Sequence, residues 1–140
     1  MCSRCFFLFL TALISKLRNE NYFTNNKIKE PDLLNYLDLV TLGTVCDVVP
    51  LLGLNRAFVF QGLKVMAKRN NLGIKTLSDL SNINSKISTY HIGYILGPKI
   101  NAGGRIGKSH YGTDLLLTDD PEVAFKISKE INILNEKEKY

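Results

Sequence analysis

At 140 residues the chain has room for one ordinary domain, and 45% apolar with 22% charged residues excludes wholesale disorder. Three cysteines, Cys2, Cys5 and Cys46, make no even disulfide set, so a reduced cytoplasmic protein is the plainer reading, with Cys2-x-x-Cys5 lacking any second pair for zinc. The net charge of +5 is unevenly spread: no Asp or Glu occurs from Leu80 to Thr113, while Lys86, Lys99, Arg105 and Lys108 lie within that window. Such a window suits contact with a polyanion, although a solvated basic face has the same composition.

Cys5 to Ile14 is a short hydrophobic run. It is too short to span a bilayer and long enough for a signal-peptide core. Its spacing favours a third reading: Phe6, Phe9, Leu10, Leu13 and Leu17 recur as one face of an amphipathic helix whose basic end, Lys16 and Arg18, lies at the C-terminus. A buried helix is expected, and a chain that opens straight into core reads as part of a larger fold. Asn19 to Glu30 is polar and loop-like. Pro31 and Asp32 open a helix with Leu33, Leu34, Leu37, Val40 and Thr41 on one side, which Gly43 should stop. From Thr44 to Leu52 the chain is apolar around Asp47, a carboxylate that is costly to bury without a cation, a metal or several donors.

Asn55 to Met66 predicts a helix packed through Phe58, Val59, Gly62, Leu63 and Met66. Arg69 to Gly73 predicts a turn, Thr76 to Leu80 a short helix, and Asn82 to Thr89 a loop. Tyr90 to Leu96 is a short ordered segment leading into Gly97-Pro98-Lys99-Ile100-Asn101-Ala102-Gly103-Gly104-Arg105. Glycines around one lysine and one arginine let a backbone approach a ligand and present its N–H groups, as would an ordinary flexible turn. Ser109 to Leu117 predicts a helix. Asp120, Pro121 and Glu122 then give a cap, a first-turn proline and a first-turn acid, followed by the stripe Val123, Ile127, Ile131 and Leu134. The sequence stops in this helix without a cap.

Three stretches in register carry a resemblance to a known family. They are Leu37 to Pro50 with Leu51 to Arg56; Ile92-Gly93-Tyr94 with Gly97 to Arg105; and Leu115 to Asp120 with Ala124 and Leu134-Asn135. Together, over residues 33 to 136, they resemble the RecJ-type single-stranded-DNA exonucleases of the DHH phosphoesterase superfamily. The resemblance implies an α/β catalytic domain of which this chain is the mainly α-helical C-terminal part. Residues 1–111 would be the end portion of that domain, and 112–140 its end and the start of a helix leading to a second domain.

The family's centre holds two divalent cations, manganese or magnesium, through an Asp-x-Asp segment, a further Asp, an Asp-His-His motif and the aspartate matching Asp47. The resemblance therefore makes Asp47 a metal ligand. It makes Arg105 a phosphate contact and stabiliser of transition-state charge, with Lys99, Asn101, Gly103 and Gly104 placing the strand. This chain has no Asp-x-Asp, and its only histidines, His91 and His110, match neither histidine of the motif, so both read as structural or solvated. Two-metal hydrolysis holds its cations about 3.5–4 Å apart on several oxygen ligands, which one carboxylate cannot supply.

The expectation is a portion of a 5′–3′ exonuclease of DNA repair and recombination, cytoplasmic, inactive alone, acting on single-stranded DNA, with a companion chain as one source of the missing ligands. A non-catalytic single-strand-binding module and a small exported or membrane-anchored protein are the alternatives.

Overall fold

The structure is a computed structural model that describes residues 3–105 and 110–137, the side chains of Arg105 and Lys137 excepted. It forms two compact units, Met1–Gly62 and Leu63–Tyr140. Among the described residues there is no strand, as expected of the helical part of an α/β family domain. The division implied by resemblance, at residue 111, concerns family domains, whereas the chain's own packing divides at 62.

In the first unit, α1 (Ser3–Asn19) packs on α3 (Leu37–Cys46), with the short α2 (Tyr22–Asn25) inside the stretch expected to be loop. A 3-10 turn, Leu33–Tyr36, precedes α3; Asp32 caps it by accepting the Leu34 N–H at 3.1 Å. The core gathers Phe7, Leu37, Val40, Leu42 and Val59, and the Phe7 ring meets Phe58, on α4 (Gly53–Ala67), edge-on at 5.3 Å. Gly43 does not stop α3, which runs on to Cys46. Its role is close approach: a Cβ there would lie 3.0 Å from the Ser3 Cβ on α1.

That contact also sets the rotation of α1, and the expected buried face is wrong. Phe7 is the buried residue and Leu10, Ile14 and Leu17 are half-buried, while Phe6, Phe9 and Leu13 face water. The run is apolar nearly all round, so spacing alone does not choose a face; Ser3 against Gly43 does. Arg18 closes the unit's surface with a multiply bonded ion pair to Glu30, one of whose bonds is Nε to Oε1 at 3.0 Å. The Arg18 guanidinium holds the Glu30 carboxyl below the usual carboxylate range.

The second unit is built on α9 (Pro121–Lys137), which packs against α5 (Leu72–Leu80), α7 (Gly97–Arg105) and α8 (His110–Leu117). Its inward stripe is Ala124, Ser128, Ile131 and Asn135, turned from the expected Val123 line, with Ile127 and Leu134 half-buried at its side. Small residues on that face let the neighbouring helices come close. The start of α9 is as read from sequence: the Asp120 carboxylate accepts the Glu122 N–H at 2.8 Å.

α5 begins four residues earlier than Thr76, because Asn71 caps it and accepts the Ile74 N–H at 2.9 Å. The Asn71 amide also donates to the Leu116 carbonyl at 3.0 Å, tying the start of α5 to the end of α8. Gly73, expected in a turn, is a helical residue pressed against Leu115.

Candidate functional site

Asp47 ends α3 as its C-cap. Its N–H donates to the Gly43 carbonyl at 3.0 Å, and Val48 follows with a φ of 53°, a left-handed turn that throws its side chain into solvent at 87% exposure. The Asp47 carboxylate is itself exposed, with no side-chain partner among the described residues. The expectation of a carboxylate buried in apolar surroundings is thus corrected at its premise: the helix ends just before Asp47, and the turn lifts it out of the apolar run. Its oxygens are open to solvent. At Cys46 beside it, burial foremost, and the Asp47 charge second, push the thiol pKa up.

The buried acid of this segment is Asp38, only 5% exposed in the first turn of α3. Burial raises its carboxyl pKa, opposed by the Leu39 N–H, which donates to Oδ1 at 2.8 Å. Nothing in the spacing singled it out, since an acid in a first helical turn is ordinary.

Its effect on stability has a definite sign. The native group keeps its proton to higher pH than the unfolded one, so stability falls as pH rises from the unfolded value of about 4 through the raised native value. Asp38→Asn, which keeps the oxygen acceptor, should therefore gain on the wild type in melting temperature as pH increases over that range. A gap that stays constant with pH would mean that Asp38 is not desolvated.

The second candidate stretch is not the glycine loop that its composition suggested. Gly97 to Arg105 is helix α7, continuing without a break from α6 (Thr89–His91) through a π-helical turn, Ile92–Leu96. Pro98 explains the wide turn: it has no N–H for the Tyr94 carbonyl, and its ring would collide with a regular turn before it. Most N–H groups here bond within the helix, so the backbone does not cradle an anion along its length.

Lys99 is the clearest correction. It is 8% exposed, and its ammonium donates to Ser81 Oγ at 2.8 Å and Asn132 Oδ1 at 2.6 Å. It is an internal strut between α7 and α9 rather than a surface cation. Asn101 and Gly104 face solvent, whereas Gly103 is buried. A Cβ at Gly104 would meet nothing within 4 Å among the described residues, so neither packing nor backbone conformation calls for glycine there. The Arg105 side chain and Lys108 lie outside the described residues. His91 is structural: its Nδ1 accepts the Ser88 N–H at 3.1 Å in a capping box. His110 is exposed beside the Tyr111 ring.

Among the described residues no three His, Cys, Asp or Glu side chains come together as a metal site would require. Asp47 fits one ligand position, and the described residues do not complete a site for a cation pair. A cavity of about 550 Å³ opens beside α1, lined by Phe7, Ile14, Arg18, Glu30 and Leu33 among others, and none of the candidate residues lines it. No helix among the described residues is long and apolar enough to cross a membrane.

No protein-family profile matches the chain. Curated single proteins do. Over 135 residues, 95% of this chain, it is 38% identical to the single-stranded-DNA-specific exonuclease RecJ of Salmonella typhimurium. To the RecJ of Thermus thermophilus it is 35% identical over 105 residues. The fold agrees: the crystal structure of Thermus thermophilus RecJ in complex with Mn2+ superposes with a TM-score of 0.72 at 31% identity, over 84% of this chain and 17% of that one.

Over this span the chain is RecJ-like. A second RecJ structure, an exonuclease bound to manganese, gives a TM-score of 0.71 over 84% of this chain and 29% of its own. Against the first curated RecJ relatives the chain spans 23% of their length. Two features of this RecJ segment were not legible beforehand, the inward turn of Lys99 and the buried Asp38. Both depend on what packs around them.

Proposed function

We propose that this chain contributes part of the catalytic machinery of a RecJ-type, DHH-class 5′–3′ exonuclease acting on single-stranded DNA in repair and recombination, in the cytoplasm. The observation that carries this reading is Asp47, a carboxylate presented to solvent at the end of α3 with no side-chain partner among the described residues, in a chain that superposes on a manganese-complexed protein.

Asp47 holds one oxygen ligand position for Mn2+ or Mg2+; when bound, such cations polarise a phosphoryl oxygen and activate water. The remaining ligands come from outside these residues, in a longer polypeptide or a companion chain. Asn101 and the open flank at Gly104 receive the strand, and Arg105, at the end of α7, clamps a phosphate and stabilises charge as the bond breaks. Lys99 takes no part in that contact. It fixes the helix that carries the others.

The test is nucleotide release from a 5′-labelled single strand in Mn2+, measured beside binding of the same strand. The chain by itself should bind in a salt-dependent way and release nothing, and Asp47→Ala should leave binding unchanged. Manganese-dependent release that disappears in Asp47→Ala would contradict the reading, because a complete site would then be assembled from this chain alone.

A further inference from the structure

We infer that Tyr90 and Tyr94 form a stacking platform for unpaired bases, in line with the strand-binding face of α7. This rests on the functional reading above and adds to it a base-recognising element. The two tyrosines are 62% and 75% exposed, and their rings lie 5.1 Å apart at an interplanar angle of 34°. The Tyr90 ring also meets the edge of His91 at 5.9 Å, and both tyrosine rings remain largely in water, covering no core.

Their direction is fixed by what lies behind them. Ile92, Leu96, Lys99 and Ala102 are all buried on the inward side of the same helical run. His91, next to Tyr90, is tied to Ser88 by its capping bond. The π-helical turn widens the helix between the two rings, which brings residues four apart more nearly into line than a regular turn does.

Continuing along the run, the exposed residues are Tyr90, Tyr94, Pro98, Asn101 and Gly104, at steps of four, four, three and three, which trace a single face. That face offers two aromatic rings, one amide and a bare stretch of helix, and the sequence around it from Leu80 to Thr113 contains no carboxylate to repel phosphate. Because Lys99 points inward, this face lacks the ammonium that would make it a simple phosphate rail. What it presents is apolar, flat and polarisable, the chemistry that recognises a base by its π-face regardless of sequence. A duplex hides those faces within its own stack, so the platform selects single strands.

The experiment compares fluorescence-anisotropy binding of labelled oligothymidylate with that of an abasic strand of equal length, using the 140-residue protein and its Tyr90→Ala, Tyr94→Ala and double variants. Helicity by circular dichroism confirms that these surface changes leave the fold intact. Each single change should weaken oligothymidylate binding about tenfold, with an unchanged salt slope and unchanged abasic binding, whereas Tyr94→Phe should bind as the wild type. The chain has no tryptophan, so Tyr94→Trp is a lone reporter whose emission oligothymidylate should quench and the abasic strand should not.

Oligothymidylate binding by the wild type that the alanine variants retain in full would overturn the platform and leave the functional reading standing. Failure of the wild type to bind any single strand would overturn the functional reading, and the platform with it.

Discussion

Gly73→Ala is expected to be among the most damaging single-methyl additions in the second unit. A Cβ at Gly73 would sit 2.7 Å from the Leu115 carbonyl carbon and nearer still to its oxygen. The obstacle is backbone, which no rotamer change relieves. Nor is α8 free to retreat, since Leu115 is fully buried and the Asn71 amide holds the next carbonyl, Leu116, at 3.0 Å. Overpacking a well-filled core costs about 1–3 kcal/mol, and a clash with fixed backbone belongs at or above the top of that range.

Against a total stability of about 5–15 kcal/mol for a typical domain, the urea midpoint should fall by a large fraction. Gly104→Ala supplies the opposite sign in the same unit. With nothing within 4 Å of its added methyl among the described residues, it should gain about 0.5–1 kcal/mol from helix propensity. Equal midpoints for Gly73→Ala and the wild type would show that α5 and α8 do not approach as described.

Lys99→Met is the second large effect, and it separates two roles for one residue. Methionine keeps much of the buried stem and removes the ammonium, leaving Asn132 Oδ1 and Ser81 Oγ without their donor. A buried polar group stripped of its partner costs about 1–3 kcal/mol, and because Ser81 and Asn132 are half-buried a combined loss of about 1–3 kcal/mol is expected. Ser81 suffers less, because its hydroxyl still donates to the Leu77 carbonyl at 2.7 Å. Single-strand binding by the folded variant should keep the wild-type salt slope. A surface phosphate contact would give the reverse pattern, with unchanged stability and a slope reduced by about one counterion.

How much of this was legible in the sequence differs from element to element. The start of α9 was, because Asp120, Pro121 and Glu122 are local signals that act within a single turn. The inward faces of α1 and α9 were not. Both helices carry apolar residues on more than one side, so the rotation is chosen by close approaches such as Gly43 against Ser3, and by Ala124 and Ser128 on the face that α9 turns inward.

Helix α7 was misread because glycine and proline mark turns when taken alone, whereas here the π-helical turn absorbs Pro98 and the helix carries Gly103 and Gly104. The segment around Asp47 was singled out by its resemblance to the family. Its exposure could not, since it depends on where α3 ends and on the left-handed turn at Val48. Lys99 shows the limit most plainly: charge composition marked it as a cation for a polyanion, and a side chain from α9, thirty-three positions later, claims it.

The central claim is that this chain presents Asp47 as a metal-ligand carboxylate within a RecJ-type nuclease. The most direct measurement places the 140 residues in a RecJ relative, in exchange for the segment they match, and follows manganese-dependent nucleotide release from a 5′-labelled single strand. The chimera should release nucleotides, and Asp47→Ala in the chimera should abolish release while leaving its helicity and single-strand binding unchanged. A chimera that digests the strand equally well with Asp47→Ala would contradict the account.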